Sequence, residues 1–127
     1  MKVAIAPEVR QEFALAVTAA GAELAELDET VTGLVWTDYS QPKLLRETLD
    51  SNPQLKWVQL PFAGVDNFKA LFDSVSASGR ELVFTSAKGA YREPVAEHAL
   101  MLALALGRAL PERLAARTWG EKFAASL

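Results

Sequence analysis

Short apolar segments alternate along this sequence with segments whose apolar residues recur at helical spacing. The apolar segments are expected to be strands and cover residues 3–6, 22–27, 33–36, 55–60 and 82–85. Amphipathic helices are expected from Pro7 to Ala20, from Pro42 to Asp50, and in a short segment after Asp66. Because strands that alternate with helices in this way pair in parallel, the pattern predicts an α/β domain whose sheet is covered on both faces.

The expected strand order selects the loops that can bind a ligand. We expect a flavodoxin-like open parallel sheet of about five strands, in the order 2-1-3-4-5. In such sheets ligands bind outside the carboxyl ends of the strands, near the point where the strand order reverses. This rule selects three loops, at residues 7–9, 37–40 and 61–65.

The third of these loops has the composition of an anion site. The apolar segment that ends at Leu60 breaks at Pro61, and Ala63 and Gly64 then add almost no side-chain bulk. A ligand can therefore approach the backbone N–H groups, which form a small positive concavity suited to a carboxylate or phosphate. Asp66 is expected to cap the helical turn that follows. An ordinary turn between a strand and a helix explains the same residues, so both interpretations stay open here.

The C-terminal part of the chain does not continue the alternation. Residues 86–91 show no periodicity, and a helix is expected from Glu93 to Leu106, with Pro94 in its first turn. Residues 99–106 are apolar on every face, so this helix must be enclosed either by its own domain or by a partner. We expect a partner surface, used in a homodimer. A further helical segment is expected from residue 111 to residue 123.

Composition argues against several classes of function. The net charge is −3 and the basic residues are scattered, so neither a nucleic-acid surface nor a membrane-binding patch is expected. With no cysteine and one histidine, the chain is not expected to bind a metal. No apolar stretch approaches the ~18 residues of a membrane span and no signal peptide is recognisable, which predicts a cytoplasmic protein. The seven glycines include no GxG pair, so the dinucleotide-binding fingerprint is absent.

Two motifs together resemble a known family. They are LKWVQLPFAGVDNF, residues 55–68, and FTSAKGAYREPVAEHALMLALALGR, residues 84–108. They are similar to the substrate-binding, or catalytic, domain of the D-isomer-specific 2-hydroxyacid dehydrogenases. In that family the flavodoxin-like domain is interrupted by an inserted Rossmann domain that binds NAD or NADP. The resemblance implies a substrate-binding domain at residues 1–91, and a crossover helix with a C-terminal helical segment at residues 92–127, truncated before the cofactor domain.

The resemblance also implies roles for individual residues. The backbone amides of Ala63 and Gly64, with Val65, would bind the substrate carboxylate, and Phe62 would shape the pocket. Tyr91 and Val95 occupy positions that can face the nicotinamide.

For the complete enzyme, the resemblance implies hydride transfer between NAD or NADP and a small 2-hydroxy or 2-oxo acid. The family's catalytic histidine, arginine and acidic residue have no counterpart in this chain, and His98 is expected to be structural. The chain alone is therefore expected to be inactive and to bind no cofactor. The alternative is a free-standing flavodoxin-like module that binds a small anion, or binds a protein through its apolar helix.

Overall fold

A parallel sheet forms the centre of the computed structural model, which describes residues 1–118. Its five strands are β1 Lys2–Ala6, β2 Glu23–Leu24, β3 Gly33–Trp36, β4 Trp57–Gln59 and β5 Val83–Thr85. The order is β2-β1-β3-β4-β5, and every neighbouring pair is parallel. The predicted α/β class and the flavodoxin-like strand order are therefore confirmed.

Among the described residues, helices occur in the chain order expected from the sequence, after β1, β3, β4 and β5. They are α1 Gln11–Ala19, α2 Pro42–Ser51, α3 Lys69–Ala77, α4 Arg92–Gly107 and α5 Leu110–Ala115, and a 3-10 turn at Asp66–Phe68 precedes α3. Contacts divide the chain into two compact units, Met1–Lys88 with the sheet and Gly89–Leu127 with α4 and α5. The sequence-based prediction put this boundary after Tyr91.

Successive side chains of a strand point to opposite faces of the sheet, and the apolar ones form two hydrophobic clusters, one on each face. The larger cluster joins strand residues to α2 and to the segment around α3: Ala4, Leu34, Trp36, Leu45, Leu49, Val58, Phe68 and Leu71. The smaller cluster packs Val3, Ile5 and Val35 against Phe13, Ala14 and Val17 of α1. All four residues of β3 are buried, so this strand is covered on both faces. Edge strand β5 is more open, with Val83 60% exposed.

Arg80 fixes the connection that leads from α2 into β4. Its guanidinium donates hydrogen bonds to the carbonyl oxygens of Leu49 at 2.7 Å, Asn52 at 2.8 Å and Leu55 at 3.2 Å. These carbonyls lie at and just after the C-terminal end of α2, where the helix itself supplies no donors and a cation is favourable. The contact therefore sets where β4 starts, and with it the position of the loop that follows β4.

The first helix begins at Gln11, so the predicted start at Pro7 is wrong. Arg10 caps the helix with an extended backbone, at φ −104° and ψ 134°. The N–H of Glu8 donates to the Thr37 hydroxyl at 3.2 Å, which ties the preceding residues to the end of β3 instead of to a helix. Strand β2 is also shorter than predicted, because only Glu23 and Leu24 pair with β1.

The predicted cap at Asp66 is wrong as well. Asp66 is the first residue of the 3-10 turn, and Val65 precedes the turn without a side-chain capping bond. The turn is closed by the backbone, since the N–H of Phe68 donates to the Val65 carbonyl at 2.9 Å. At the other end of the chain α5 stops at Ala115. The part of the predicted final helix from residue 119 onward lies outside the described residues.

Gly33 is required by the spacing of the central strands. It pairs with Val3 on one side and with Trp57 on the other. A Cβ atom at Gly33 would lie 2.9 Å from Cε3 of Trp57 and 3.2 Å from Cγ2 of Val3. Both distances are shorter than ordinary van der Waals contact, so the two neighbouring side chains occupy the space that any larger residue would need.

We expect Gly33→Ala to lower the free energy of unfolding by about 1–3 kcal/mol, the usual cost of overpacking a core. Equilibrium unfolding in urea measures this difference. Gly64→Ala is the matched control, because a Cβ there meets no atom within 4 Å and Gly64 is not among the glycines with positive φ. The control should unfold like the wild type. Equal stability of the two variants would contradict the packing argument.

Candidate functional site

A cavity of about 360 Å³ lies where β1, β3 and β4 end. It is lined by residues of the three loops selected from the strand order, and by Arg10, which lies one residue beyond the first of them. The lining is Pro7, Glu8 and Arg10 after β1, Thr37, Asp38, Tyr39 and Ser40 after β3, and Phe62 after β4. Strands β1 and β3 are neighbours in the sheet. The strand that follows β1 in the chain, β2, lies on one side of this pair, and the strand that follows β3, β4, lies on the other side. The cavity therefore occupies the switch point at which open α/β sheets bind ligands.

Thr37 joins the first two of these loops. Its hydroxyl accepts a hydrogen bond from the Glu8 N–H at 3.2 Å and lies within donating distance of two carbonyl oxygens, those of Glu8 at 3.0 Å and Ala6 at 3.2 Å. Its own N–H donates to the Ala6 carbonyl at 2.8 Å. Thr37 is buried, so water competes little for these bonds. The start of the loop after β1 is thus held against the end of β3.

Asp38 organises the loop after β3. Its carboxylate accepts three hydrogen bonds, from the N–H and the hydroxyl of Ser40 at 2.7 Å each and from the side-chain amide of Gln41 at 2.6 Å. The bond from the Ser40 hydroxyl, followed by those from Gln41 and the Ser40 N–H, lowers the pKa of Asp38 below its ordinary value. Asp38 is therefore a carboxylate at neutral pH. With these bonds in place it shapes the loop and is a poor candidate for a general base.

Aromatic rings connect the hydrophobic core to the loop after β4. Tyr39 packs edge-to-face against Phe68 at a centroid distance of 5.6 Å and against Phe62 at 5.7 Å. Phe68 is fully buried, whereas Phe62 is 49% exposed. The side-chain amide of Asn67 also donates to the Tyr39 carbonyl at 2.7 Å. Phe62 is thereby supported at the edge of the cavity although half of its surface is open to water.

The loop after β4 presents unpaired backbone donors. Among the described residues, none accepts a hydrogen bond from the N–H groups of Ala63, Gly64 or Val65. Ala63 and Gly64 are exposed and Val65 is partly buried. The loop is fixed at its start by the Phe62 carbonyl, which accepts from the Ala87 N–H at 3.2 Å. Successive free N–H groups on a fixed loop are suited to binding an anion.

Gly64 does not adopt a left-handed conformation. Among residues 1–118, the glycines with positive φ are Gly21, Gly79 and Gly89. A Cβ atom at Gly64 would also meet no protein atom within 4 Å. Neither backbone strain nor packing within the described residues explains a glycine here, so the unfilled space beside the N–H groups is the feature that remains.

Of the predicted site residues, only Phe62 lines the cavity between the three loops. Ala63, Gly64 and Val65 follow it in the same loop. Tyr91 and Val95 belong to the second compact unit, where their side chains are 55% and 63% exposed.

Sequence reasoning missed Arg10, because the loop selected after the first strand ended at residue 9 and a helix was expected from Pro7 onward. The sequence did contain a signal for Arg10. Pro7 directly follows an apolar strand, so residues 7–10 could also be interpreted as a loop that carries a basic residue at the carboxyl end of β1.

The second unit carries apolar surface. Six large apolar side chains of α4 are 48–73% exposed: Val95, Leu100, Met101, Leu102, Leu104 and Leu106. Several of them line a shallow, almost entirely apolar cavity of about 510 Å³ between α4 and α5. Within residues 1–118, no helix is long and apolar enough to cross a membrane. No group of potential metal ligands is clustered in that part of the chain.

Comparisons with solved structures show the fold. The apo-structure of D-lactate dehydrogenase from Escherichia coli aligns at 20% sequence identity with a TM-score of 0.56, covering 99% of this chain and 43% of that chain. The TT0316 protein from Thermus thermophilus aligns at 21% identity with a TM-score of 0.52, covering 100% of this chain and 44% of that chain. The chain thus spans less than half the length of these proteins. Comparison with curated protein sequences gives no match.

Comparison with family models gives a match over nearly the whole chain. Residues 4–125 of the 127 match the model for the catalytic domain of the D-isomer specific 2-hydroxyacid dehydrogenases. The match includes the last three residues of β1, the other four strands, the three loops around the cavity and helices α4 and α5. The chain therefore belongs to the D-isomer specific 2-hydroxyacid dehydrogenase family and corresponds to its catalytic domain.

Proposed function

We propose that this chain is the substrate-binding part of an oxidoreductase that uses NAD or NADP to interconvert D-2-hydroxyacids and 2-oxoacids in the cytoplasm. The observation that carries the proposal is the family match over residues 4–125. The cavity at the carboxyl ends of β1, β3 and β4 supports it, because small acids need a concave site with a few convergent polar groups. The free N–H groups beside that cavity support an anionic substrate.

In this proposal the substrate carboxylate accepts hydrogen bonds from the N–H groups of Ala63, Gly64 and Val65. Hydrogen bonds to an ionised group are roughly twice as strong as neutral ones, so three donors on a fixed loop both bind and orient the acid. Phe62, supported by Tyr39, forms the adjoining wall. Orientation of the acid places its C2 carbon for hydride transfer, which is the chemistry that the nicotinamide supplies when bound.

The residues of this chain do not form a complete dinucleotide site. No GxG pair occurs among the seven glycines, so the chain lacks the turn that lets a backbone approach a pyrophosphate. We propose that another part of the complete enzyme holds NAD or NADP and that this chain contributes Tyr91 and Val95 beside the nicotinamide. The proton-transfer histidine, its acidic partner and the arginine of the family are assigned to that other part as well.

The apolar surface of α4 supports a homodimer through the helix from Glu93 to Leu106. The exposed leucine and methionine side chains of this helix present apolar surface that is unfavourable in water. Covering such a patch gains about 25 cal/mol per Å² of apolar surface. A second copy of the same helix offers a surface of the same character, and a two-fold axis pairs identical patches.

We expect the purified chain alone to show no oxidation or reduction of 2-hydroxyacids or 2-oxoacids with NAD or NADP. It has neither a phosphate-binding glycine turn nor the proton-transfer residues of the family. Absorbance of the reduced nicotinamide at high protein concentration measures this. The complete enzyme serves as the positive control. Turnover by the contaminant-free chain would refute the assignment of the catalytic residues to another part of the complete enzyme.

In the complete enzyme, we expect Gly64→Val to raise KM for the acid by roughly tenfold or more, with little change in KM for the cofactor. The branched side chain would occupy the space beside the N–H groups, and its Cβ atom would meet no protein atom within 4 Å. Steady-state kinetics with each substrate varied in turn measures both constants, and Gly64→Ala should give a smaller effect in the same direction. A variant that weakens both ligands equally, or neither, would rule out this loop as the carboxylate site.

We expect the chain to self-associate through α4, and Leu102→Glu or Leu104→Glu to yield a soluble monomer. A carboxylate in the contact would have to be desolvated without a partner. Sedimentation velocity over a concentration series measures the association. The matched control is Leu114→Glu in α5, at a leucine that is 78% exposed, and this variant should associate like the wild type. A monomeric wild type, or dissociation by the control alone, would contradict the role of α4.

A further inference from the structure

Thr37 is a buried polar residue whose hydroxyl has no part in the function proposed above. It is the one polar or charged residue in the buried set of the described chain. Burying a hydroxyl is costly unless its hydrogen bonds are made, and here they are made to the backbone of Ala6 and Glu8. The hydroxyl therefore uses its hydrogen-bonding capacity to fix the path of the loop after β1.

The side chain that this loop carries to the cavity is Arg10. Arg10 follows the fixed residue Glu8 by two positions and lines the same cavity as Phe62. Its ion pair with Glu8 spans 3.7 Å between side chains that are 47% and 72% exposed. An exposed pair at that distance contributes little and is easily exchanged for another partner. A guanidinium carries five N–H donors in a planar fork that matches a carboxylate, so Arg10 can bind an acid in the cavity.

We propose that Thr37 is a positioning residue, which holds Arg10 at the cavity. Arg10 in turn binds the carboxylate of the acid substrate. This inference rests on the function proposed above. Without the hydroxyl, the Glu8 N–H loses its acceptor and the loop after β1 is no longer tied to the end of β3. Thr37 acts through Arg10, so its loss weakens substrate binding and leaves the chemical step unchanged.

The test uses the complete enzyme with pyruvate and glyoxylate as probes. Thr37→Val keeps the shape of the side chain and removes the hydroxyl, and we expect it to raise KM for both acids roughly tenfold, the factor typical of one lost charge-assisted hydrogen bond. The turnover number should stay within about twofold of the wild type. Thr37→Ser keeps the hydroxyl and should restore KM. Amide hydrogen exchange at Glu8 should be faster in Thr37→Val than in Thr37→Ser.

A double-mutant cycle tests whether Thr37 acts through Arg10. Arg10→Met should raise KM as Thr37→Val does, and adding Thr37→Val to Arg10→Met should cause no further increase. Arg46→Met is the matched control, because Arg46 donates to the Ala70 carbonyl from α2 and does not line the cavity. This control should leave KM unchanged.

The outcomes separate this inference from the proposed function. A wild-type enzyme that reduces neither acid nor any other 2-oxoacid would overturn the proposed function. An active wild type with unchanged KM in Thr37→Val, or with additive effects in the cycle, would overturn the role of Thr37 and leave the proposed function standing. If Thr37→Val fails to fold, the Arg10→Met variant tests the inference by itself. An unchanged KM in that variant would show that Arg10 does not bind the acid, and the proposed role of Thr37 would be overturned with it.

Discussion

The close approach of three strands around Gly33 is the constraint on which the rest of the structure depends. Strand β3 lies between β1 and β4 and is buried along its whole length, so its side chains contribute to both hydrophobic clusters. Gly33 leaves room for Val3 and Trp57 from its two neighbours. The lateral packing at the start of β3 thereby fixes the relative positions of three strands whose opposite ends carry the loops of the cavity.

Most of the fold could be predicted because its determinants are local. Apolar runs of four to six residues mark the strands, and helical spacing marks α2 and α4 to within a residue or two. The prediction failed where a distant contact overrides local propensity. Pro7 resembles a helix start, yet Thr37, 29 positions beyond Glu8, accepts a hydrogen bond from the Glu8 N–H, and the helix begins only at Gln11. Periodicity cannot reveal a hydrogen bond between two loops.

The candidate site could be predicted only in part, for the same reason. The strand order predicted the edge of the sheet at which the cavity lies, and small residues at 63 and 64 indicated one loop on that edge. Asp66 was assigned as a cap from its residue type alone, but the backbone bond between Phe68 and Val65 closes the turn without it. The tie between Thr37 and the Glu8 backbone, and the support of Phe62 by Tyr39, arise from packing between loops that are far apart in sequence.

The open surroundings of Gly64 make this position independent of the packing of the sheet. Gly33 and Gly64 are chemically identical residues in one sheet domain, yet a methyl group is blocked at the first and meets nothing at the second. An alanine at residue 64 therefore needs no compensating change elsewhere in the domain. A methyl group at residue 64 would change the surface of the loop, whereas the same group at residue 33 would push two strands of the sheet apart.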